Sequence, residues 1–274
     1  MRQKDFKFKM KTIGFLGAGN MAQALARGVI RTGVNRNKIT AGDVSDAARK
    51  NMQRGTKIRT FSDNADVISK SAVIILAVKP GDIDAVLLDL KGNAAGKTII
   101  SIAAGISTSY IERNIGGKPK VIRVMPNLPA KVGKGMAGIC KGRYAGASDL
   151  RIAREIFDSV GKTVFVKEKQ MDAVTALSGS GPAYLFYLAE SMAQAGRKLG
   201  LNSGLAELMA RQTVIGGAGL LEKEKVSPSE LRKRVTSSGG TTAAAMKIFE
   251  KKHLKDIIAS AMSAADQRSR ELKK

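Results

Sequence analysis

Several residue types are rare in this chain. It has no tryptophan, one cysteine and one histidine, and aromatic residues make up 4% of it. The single cysteine, Cys140, excludes an internal disulfide and a cysteine zinc site, which favours a reducing, cytoplasmic location. No window holds about 18 uninterrupted apolar residues, so we expect no membrane helix, and the N-terminal apolar stretch is too short and glycine-broken for a secretory signal.

Acidic residues are also scarce. The chain has 23 of them against 47 lysines and arginines, which gives a formal net charge of +24. A basic surface attracts nucleic acids, anionic membranes and small anions alike. Because the basic residues are scattered and no zinc-finger or RNA-recognition pattern is present, we expect no specific nucleic-acid partner and no membrane partner. Weak, non-specific attraction to nucleic acid at low salt is still expected.

The 274 residues show two different sequence patterns, one before and one after residue 167. Through residue 167, apolar runs of strand length alternate with segments of helical spacing, which predicts an α/β fold with a doubly wound parallel sheet. From residue 168 to 274, alanine-, leucine- and methionine-rich helical patterns predict an all-α domain. The strand-like runs are residues 12–17, 38–43, 71–78, 98–103, 120–125 and 161–167.

One predicted helix of the second domain is apolar on more than one face. Its apolar residues include Leu185, Phe186, Leu188, Ala189 and Met192. A small helical domain cannot hide such wide apolar faces by itself, so we expect burial against a second copy of the chain.

A glycine-rich turn follows the first apolar run. Gly17, Gly19 and Ala22 form the G-x-G-x-x-A variant of the Rossmann dinucleotide fingerprint, between a strand pattern and an amphipathic helix pattern. The first glycine permits a tight turn, the second lets a pyrophosphate approach the backbone, and the small third residue lets helix and strand pack closely. The turn therefore predicts a dinucleotide site.

Asp43 ends the second strand pattern, 24 residues after Gly19. A carboxylate there accepts hydrogen bonds from ribose hydroxyls and repels a 2′-phosphate, which favours NADH over NADPH. Arg49 and Lys50 are near enough in sequence to oppose that effect. Alternatively, Asp43 caps the helix that begins near Asp46.

Four further stretches contain small or hydroxyl residues. AVKP (77–80) and SIAAG (101–105) end predicted strands, at the edge where such sheets bind ligands; Lys79 is either a phosphate ligand or a solvated loop lysine, and the small residues around Ala103 leave room for a flat ring. ALSGSGPAY (176–184) and VTSSGGTTAAAM (235–246) precede helices. Each could bind a carboxylate or serve only as a helix cap.

Together these motifs resemble one enzyme family. FLGAGNM, AVKP, SIAAG, RVMPNLPA, ALSGSGPAY and VTSSGGTTAAA occur in the order and near the spacing of pyrroline-5-carboxylate reductases, from about Lys11 to Leu272. The resemblance implies reduction of (S)-1-pyrroline-5-carboxylate to L-proline, the last step of proline biosynthesis, with NADPH or NADH. It also implies a homodimer or a larger homo-oligomer such as a ring of dimers.

The resemblance and the motifs give a set of candidate site residues. In the substrate loop, Thr242 matches the catalytic hydroxyl, which would orient the imine or relay a proton, and no metal is implied. Substrate-binding candidates are Ser237, Gly239, Gly240, Thr241 and Thr242. Cofactor-binding candidates are Leu16, Gly17, Ala18, Gly19, Asn20, Met21, Ala22, Asp43, Asn64, Ala77, Val78, Lys79, Pro80 and Ala103.

Two positions depart from the family pattern. Ser238 stands where many members carry proline, which predicts a more mobile substrate loop. Asp43 replaces a small hydroxyl residue, which again favours NADH.

Two alternative functions fit the sequence less well. A β-hydroxy acid dehydrogenase would use a helical lysine such as Lys198 as its base, but Gly200 interrupts the helix pattern before Asn202. A non-catalytic nucleotide-sensing or nucleic-acid-binding module would not need the two substrate-like loops. His253, among lysines and far from any motif, is expected to be exposed, and Cys140 to be a small core residue.

Overall fold

The computed structural model describes residues 11–274. Its strands are β1 (Ile13–Leu16), β2 (Ile39–Gly42), β3 (Arg59–Phe61), β4 (Val73–Leu76), β5 (Thr98–Ser101), β6 (Lys120–Met125), β7 (Gly135–Lys141) and β8 (Gly161–Phe165). These eight strands form one sheet in the order β3-β2-β1-β4-β5-β6-β7-β8.

Helices cover both faces of this sheet. The helices are α1 (Asn20–Arg31), α2 (Asp46–Thr56), α3 (Asn64–Lys70), α4 (Ile83–Leu90), α5 (Thr108–Ile115), α6 (Ala147–Asp158) and α7 (Met171–Val174). Residues of α1 and α6 pack on one face of the sheet, and residues of α3, α4 and α5 pack on the other. Every residue of β4 and β5 is buried, which explains their continuously apolar sequences and confirms the predicted doubly wound fold.

The sheet has two strands that the sequence patterns did not reveal. β3 is only three residues long, and β7 contains two glycines that weaken its strand pattern. β7 is antiparallel to β6, while the other neighbouring strands are parallel. The link between β6 and β7, residues 126–134, is too short for the crossover that parallel strands require. The expectation of a wholly parallel sheet is therefore corrected for this pair.

The helical part follows a π-helical turn at Thr175–Gly179. Its helices are α8 (Gly181–Lys198), α9 (Ser203–Lys223), α10 (Pro228–Arg234), α11 (Thr241–Lys251) and α12 (Leu254–Glu271). In residues 11–274 we find no helix that is both long and apolar enough to cross a bilayer.

The chain packs as two compact units that divide it differently from the sequence patterns. One contains residues 11–179 and Ala265–Lys274, and the other is Ser180–Ala264. The stretch after residue 167 stays with the sheet because the Glu168 carboxylate accepts hydrogen bonds from Thr108 N (2.8 Å) and Thr108 Oγ1 (2.6 Å). We call these the dinucleotide unit and the helical unit.

The helical unit has almost no core of its own. Within residues 180–264, only Pro182, Ala193, Ala206 and Ala210 are buried. The small residues of α8 and α9 face each other, since a Cβ on Gly196 would lie 3.3 Å from the Ala206 methyl group. The large apolar side chains point elsewhere and remain exposed.

Candidate active site

The turn after β1 requires glycine at Gly17. Its φ is +102°, and a Cβ there would lie 2.5 Å from the carbonyl oxygen of Ala77. Gly17 N donates to Gly42 O at 2.7 Å, and Ala77 N donates to Leu16 O at 2.7 Å. The turn is therefore locked between the carboxyl ends of β2 and β4.

Gly19 has a different reason to be glycine. It is the N-cap of α1 with an ordinary φ of −70° and no side-chain cap, and α1 has no acidic residue in its first turn. A Cβ on Gly19 would meet nothing within 4 Å. The first N–H groups of α1 and the positive end of its dipole thus face open space, which is the arrangement that binds a pyrophosphate. Ala22 is fully buried and lets α1 pack on the sheet.

Asp43 ties the glycine turn to the end of β2. Its Oδ2 accepts from Ala18 N at 2.8 Å, and its Oδ1 accepts from Ser45 N at 2.8 Å. Each carboxylate oxygen keeps a second lone pair for a ribose hydroxyl. The α2 cap is Ser45, whose hydroxyl accepts from Ala48 N at 3.3 Å, so the alternative that Asp43 is the cap is wrong.

Arg49 stabilises the loop between β2 and α2. Its Nη1 donates to the backbone carbonyls of Asp43 (2.7 Å) and Val44 (3.0 Å), and its Nη2 contacts Asp46 Oδ1 at 3.2 Å. Lys50 Nζ lies 2.7 Å from Asp46 Oδ2. Both cations are engaged with the loop and with Asp46, which reduces their ability to oppose Asp43.

The remaining cofactor candidates lie at the same edge of the sheet. Leu16 is in register with Leu76, and Leu76 with Ser101, so residues 77–80 and Ala103 follow neighbouring strand ends. Asn64 begins α3, and its Oδ1 lies 3.0 Å from the position of a Cβ on Gly42. Leu16 and Ala18 are fully buried and can offer only backbone to a ligand. The order of strands reverses between β1 and β4, where doubly wound sheets bind their ligands.

The substrate-loop candidates form the start of α11 in the helical unit. Gly239 has φ +69°, and Gly240 N donates to Ser237 O at 3.2 Å. Gly240 is the N-cap of α11, and because it is a glycine, no N-cap side chain accepts a hydrogen bond from the first turn. Thr241 is exposed and Thr242 half-buried in the first turn. Thr242 is therefore not the N-cap of α11.

The motif RVMPNLPA contains an asparagine, Asn127, whose role the sequence pattern does not predict. Asn127 is nine-tenths buried after β6. Its Nδ2 donates to Ser178 O at 2.9 Å, and its Oδ1 accepts from Met136 N at 2.8 Å. It thereby anchors the π-helical turn that leads into SGSGP. An asparagine next to a proline is common in turns of any protein, so the sequence alone does not show that Asn127 anchors the π-helical turn.

Cys140, His253 and Lys198 lie where the sequence analysis predicted, outside any catalytic arrangement. Cys140 is buried, and burial raises the pKa of its thiol to about 12, which makes it inert as a nucleophile. The His253 side chain is 76% exposed. Lys198 ends α8, whereas Asn202 caps α9, so the two cannot form one catalytic helix face.

Two family models match separate stretches of the chain. A family model described as pyrroline-5-carboxylate reductase dimerisation matches residues 168–272, and one described as NADP oxidoreductase coenzyme F420-dependent matches residues 12–105. The pyrroline-5-carboxylate reductase of Methanosarcina acetivorans is 41% identical over 96% of this chain and 98% of its own length. The chain belongs to the pyrroline-5-carboxylate reductase family. It is accordingly an oxidoreductase.

Other members of the family agree in sequence and structure. The Arabidopsis thaliana enzyme is 39% identical over 95% of each chain. The solved structure of the Coxiella burnetii pyrroline-5-carboxylate reductase covers 96% of this chain and 99% of its own, with TM-score 0.91 and 35% identity. A Plasmodium falciparum pyrroline carboxylate reductase solved with NADP bound has TM-score 0.85 and 30% identity over 97% of this chain and 100% of its own.

The two glycines of the turn provide a matched test of the dinucleotide site. Gly17→Ala adds a Cβ against a backbone carbonyl at positive φ, so we expect a lower melting temperature and a loss of at least about 1–2 kcal/mol in unfolding free energy. Gly19→Ala fits the backbone, so we expect a loss under about 1 kcal/mol but weaker NADH binding, because the methyl group occupies the pyrophosphate's approach. Thermal unfolding and NADH fluorescence titration measure both effects. Unchanged NADH affinity in Gly19→Ala would contradict the pyrophosphate placement.

Proposed function

We propose that this chain reduces (S)-1-pyrroline-5-carboxylate to L-proline with a hydride from NAD(P)H. The observation that carries the proposal is the pair of uncapped helix starts, at Gly19 and at Gly240, each in a loop whose sequence matches the family's anion-binding motifs. Such helix starts bind anions through backbone N–H groups and the helix dipole. One is suited to the cofactor pyrophosphate and the other to the substrate carboxylate.

The dinucleotide would lie along the carboxyl edge of the sheet. The first turn of α1, residues 20–22, binds the pyrophosphate, and Asp43 accepts from the ribose hydroxyls beside Asn64. Residues 77–80 and Ala103 line the other half of the edge, where the small side chain of Ala103 admits the flat nicotinamide ring. When bound, the cofactor supplies the hydride, and the protein supplies binding and orientation.

The substrate would bind at the start of α11. The N–H groups of Gly239, Thr241 and Thr242 hold the carboxylate, with the Ser237 hydroxyl beside them, while the N–H of Gly240 stays bonded to Ser237 O. Hydride addition to the imine carbon converts the carbon–nitrogen double bond to a single bond, and the ring nitrogen takes up one proton. The Thr242 hydroxyl hydrogen-bonds that nitrogen and either orients it or relays the proton. This chemistry requires no metal and no covalent nucleophile.

Asp43 makes NADH the preferred cofactor in this proposal. A 2′-phosphate at the ribose would bring a doubly charged group to the carboxylate that already accepts from Ala18 N and Ser45 N. Arg49 and Lys50 are held by the loop carbonyls and by Asp46, so they offset the repulsion between the Asp43 carboxylate and a 2′-phosphate only in part.

Residues 168–274 act, in this proposal, as the substrate and dimerisation domain. The helical unit leaves large apolar side chains exposed, among them Phe186 at 61% and Tyr187 at 72%. A groove of about 640 Å³ between α8 and α9 is lined by Leu185, Phe186, Val214, Ile215 and neighbouring residues. A second copy of the chain would cover these surfaces, and dimers could assemble into a ring. We place the enzyme in the cytoplasm, in keeping with its single, buried cysteine.

Thr242 gives the direct test of activity. We expect wild-type protein to oxidise NADH only when pyrroline-5-carboxylate is added, and Thr242→Val to lower kcat by about 100-fold or more, since a positioned acid contributes about that much. Thr242→Ser keeps the hydroxyl and should retain most activity. Thr213→Val, which removes an exposed hydroxyl of α9, is the matched control. A wild-type protein that binds NADH without oxidising it would refute the reaction.

Cofactor preference tests the role of Asp43. We expect kcat/KM to be higher with NADH than with NADPH. Asp43→Ser removes the charge and should raise the NADPH-to-NADH ratio of kcat/KM by about tenfold, because a charge pair at a few ångströms in a partly solvated site contributes about 1–4 kcal/mol. A wild-type preference for NADPH by a wide margin would show that the assigned role is wrong.

The oligomeric state tests the role of the helical unit. We expect light scattering at micromolar concentration to give at least the mass of a dimer. Phe186→Asp should shift the mass towards the monomer, because it places a charge in the apolar surface. Leu88→Asp, at an exposed leucine of α4, is the control and should leave the mass unchanged. A monomeric wild-type protein would contradict the proposal.

A further inference from the structure

The last residues of the chain return to the dinucleotide unit and hold the loop that follows β5. Lys274 N donates to Gly105 O at 2.9 Å, and Ser107 N donates to Lys274 O at 3.1 Å. The two backbone bonds lie on either side of Ile106, as in a short strand pairing. We call residues 269–274 the α12 clamp.

Gly105 is shaped for this contact. Its φ is +75°, and a Cβ there would lie 2.5 Å from the carbonyl oxygen of Leu272. The backbone of the clamp therefore fills the space that any other side chain at position 105 would need.

Side chains fasten the clamp at two further points. The Asp172 carboxylate, 1% exposed, accepts from Ser269 Oγ at 3.0 Å and from Lys273 Nζ at 2.7 Å. Lys274 Nζ lies 3.0 Å from Asp84 Oδ2, and Asp84 Oδ1 accepts from the Tyr110 hydroxyl at 2.6 Å. The clamp is thus bound to α4, α7 and the loop before α5.

The Asp172 contact is in its charged form at neutral pH. Burial acts to raise the pKa of Asp172, but hydrogen bonds from Lys273 and Ser269 and the nearby positive charges outweigh it, so the pKa lies below its ordinary value. Lowering the pH through the unfolded-state value of about 3.9 begins to remove this stabilisation. At neutral pH the ion pair between Lys273 and Asp172 is therefore intact.

The held loop begins at Ala103, at the cofactor edge. Ile102 N donates to Leu76 O at 3.1 Å, which places the end of β5 beside the end of β4. Asp43 lies on the other side of the β1–β4 reversal. A dinucleotide that spans this reversal puts its ribose at Asp43 on one half and its nicotinamide on the other.

We propose that the α12 clamp positions the Ala103–Ser107 loop for the nicotinamide half of the cofactor. The inference rests on the proposed function, which puts Ala103 beside that ring. Leu272 and Lys274 contact the loop through their backbone, and Ser269 and Lys273 anchor the clamp to Asp172, so the clamp acts through the loop and its residues are positioning residues. A small displacement of a positioning element is enough to slow hydride transfer, because reacting atoms must stay in near-contact geometry.

Two glycines flanking β5 allow a matched test. Gly105→Ala puts a methyl group into the clamp, whereas Gly96→Ala imposes the same backbone strain, at φ +71°, with nothing within 4 Å. For each variant, Kd is measured for NADH and for ADP-ribose, which lacks the nicotinamide. We expect Gly105→Ala to weaken NADH binding and lower kcat, each by about tenfold, with ADP-ribose affinity retained, and Gly96→Ala to match the wild type in all three.

A second variant acts on the clamp from its other side. Asp172→Asn with Lys273→Met removes the buried ion pair without leaving an unpaired charge, and the substituted amide can still accept from Ser269. We expect a smaller loss of NADH affinity in the same direction, again with ADP-ribose affinity retained. Unchanged ratios of NADH to ADP-ribose affinity in both clamp variants would overturn the inference, even if their melting temperatures fall.

The test separates this inference from the proposed reaction. Binding of NADH and ADP-ribose does not depend on pyrroline-5-carboxylate, so a protein that binds both but lacks reductase activity refutes the reaction and leaves the clamp measurement valid. A wild-type protein that binds neither ligand would overturn the cofactor site and the clamp inference with it.

Discussion

The arrangement of residues at the carboxyl edge of the sheet depends on one constraint, the close approach of the turn after β1 to the end of β4. Gly17 sits so near the Ala77 carbonyl that a Cβ would lie 2.5 Å from its oxygen. This contact fixes where α1 begins, and hence where its unpaired N–H groups point. It also brings Leu16 and Leu76 into register at the reversal of strand order. The positions of Asp43, Asn64 and Ala103 follow from the strands that pair outward from this point.

The dinucleotide unit was largely predictable because its signals are local. A strand, a glycine turn and a helix leave adjacent marks in sequence, and strands buried on both faces are apolar throughout. β3 and β7 were missed for physical reasons: one is three residues long, and the other carries glycines and owes its direction to a short link. The candidate residues at strand ends could be placed on one edge, but the hydrogen bonds of Asp43 could not, because Ala18 and Ser45 have no sequence signature as its donors.

The division between the units was less predictable because it depends on long-range contacts. Residues 168–179 are helical like the segment that follows, yet Glu168 and Asp172 bind partners in the dinucleotide unit and its returning α12 end. In the helical unit, by contrast, the sequence pattern was clear but the packing was not what an isolated domain would show. Its wide apolar faces were visible in the sequence, and the structure buries only four small residues within residues 180–264. Apolar surface left exposed on this scale stabilises an association rather than a monomer.

The net charge and Asp43 act on the cofactor over different distances. A formal charge of +24 favours both dinucleotides, and NADPH somewhat more because it carries the extra phosphate. Scattered charges are screened beyond about 8–10 Å at moderate salt, so they contribute little to the choice between the two. In the proposed site the Asp43 carboxylate would lie within that distance of the ribose, and its two backbone hydrogen bonds hold it against the glycine turn. In the proposed function, discrimination against a 2′-phosphate is therefore a local property of one strand end, even in a strongly basic protein.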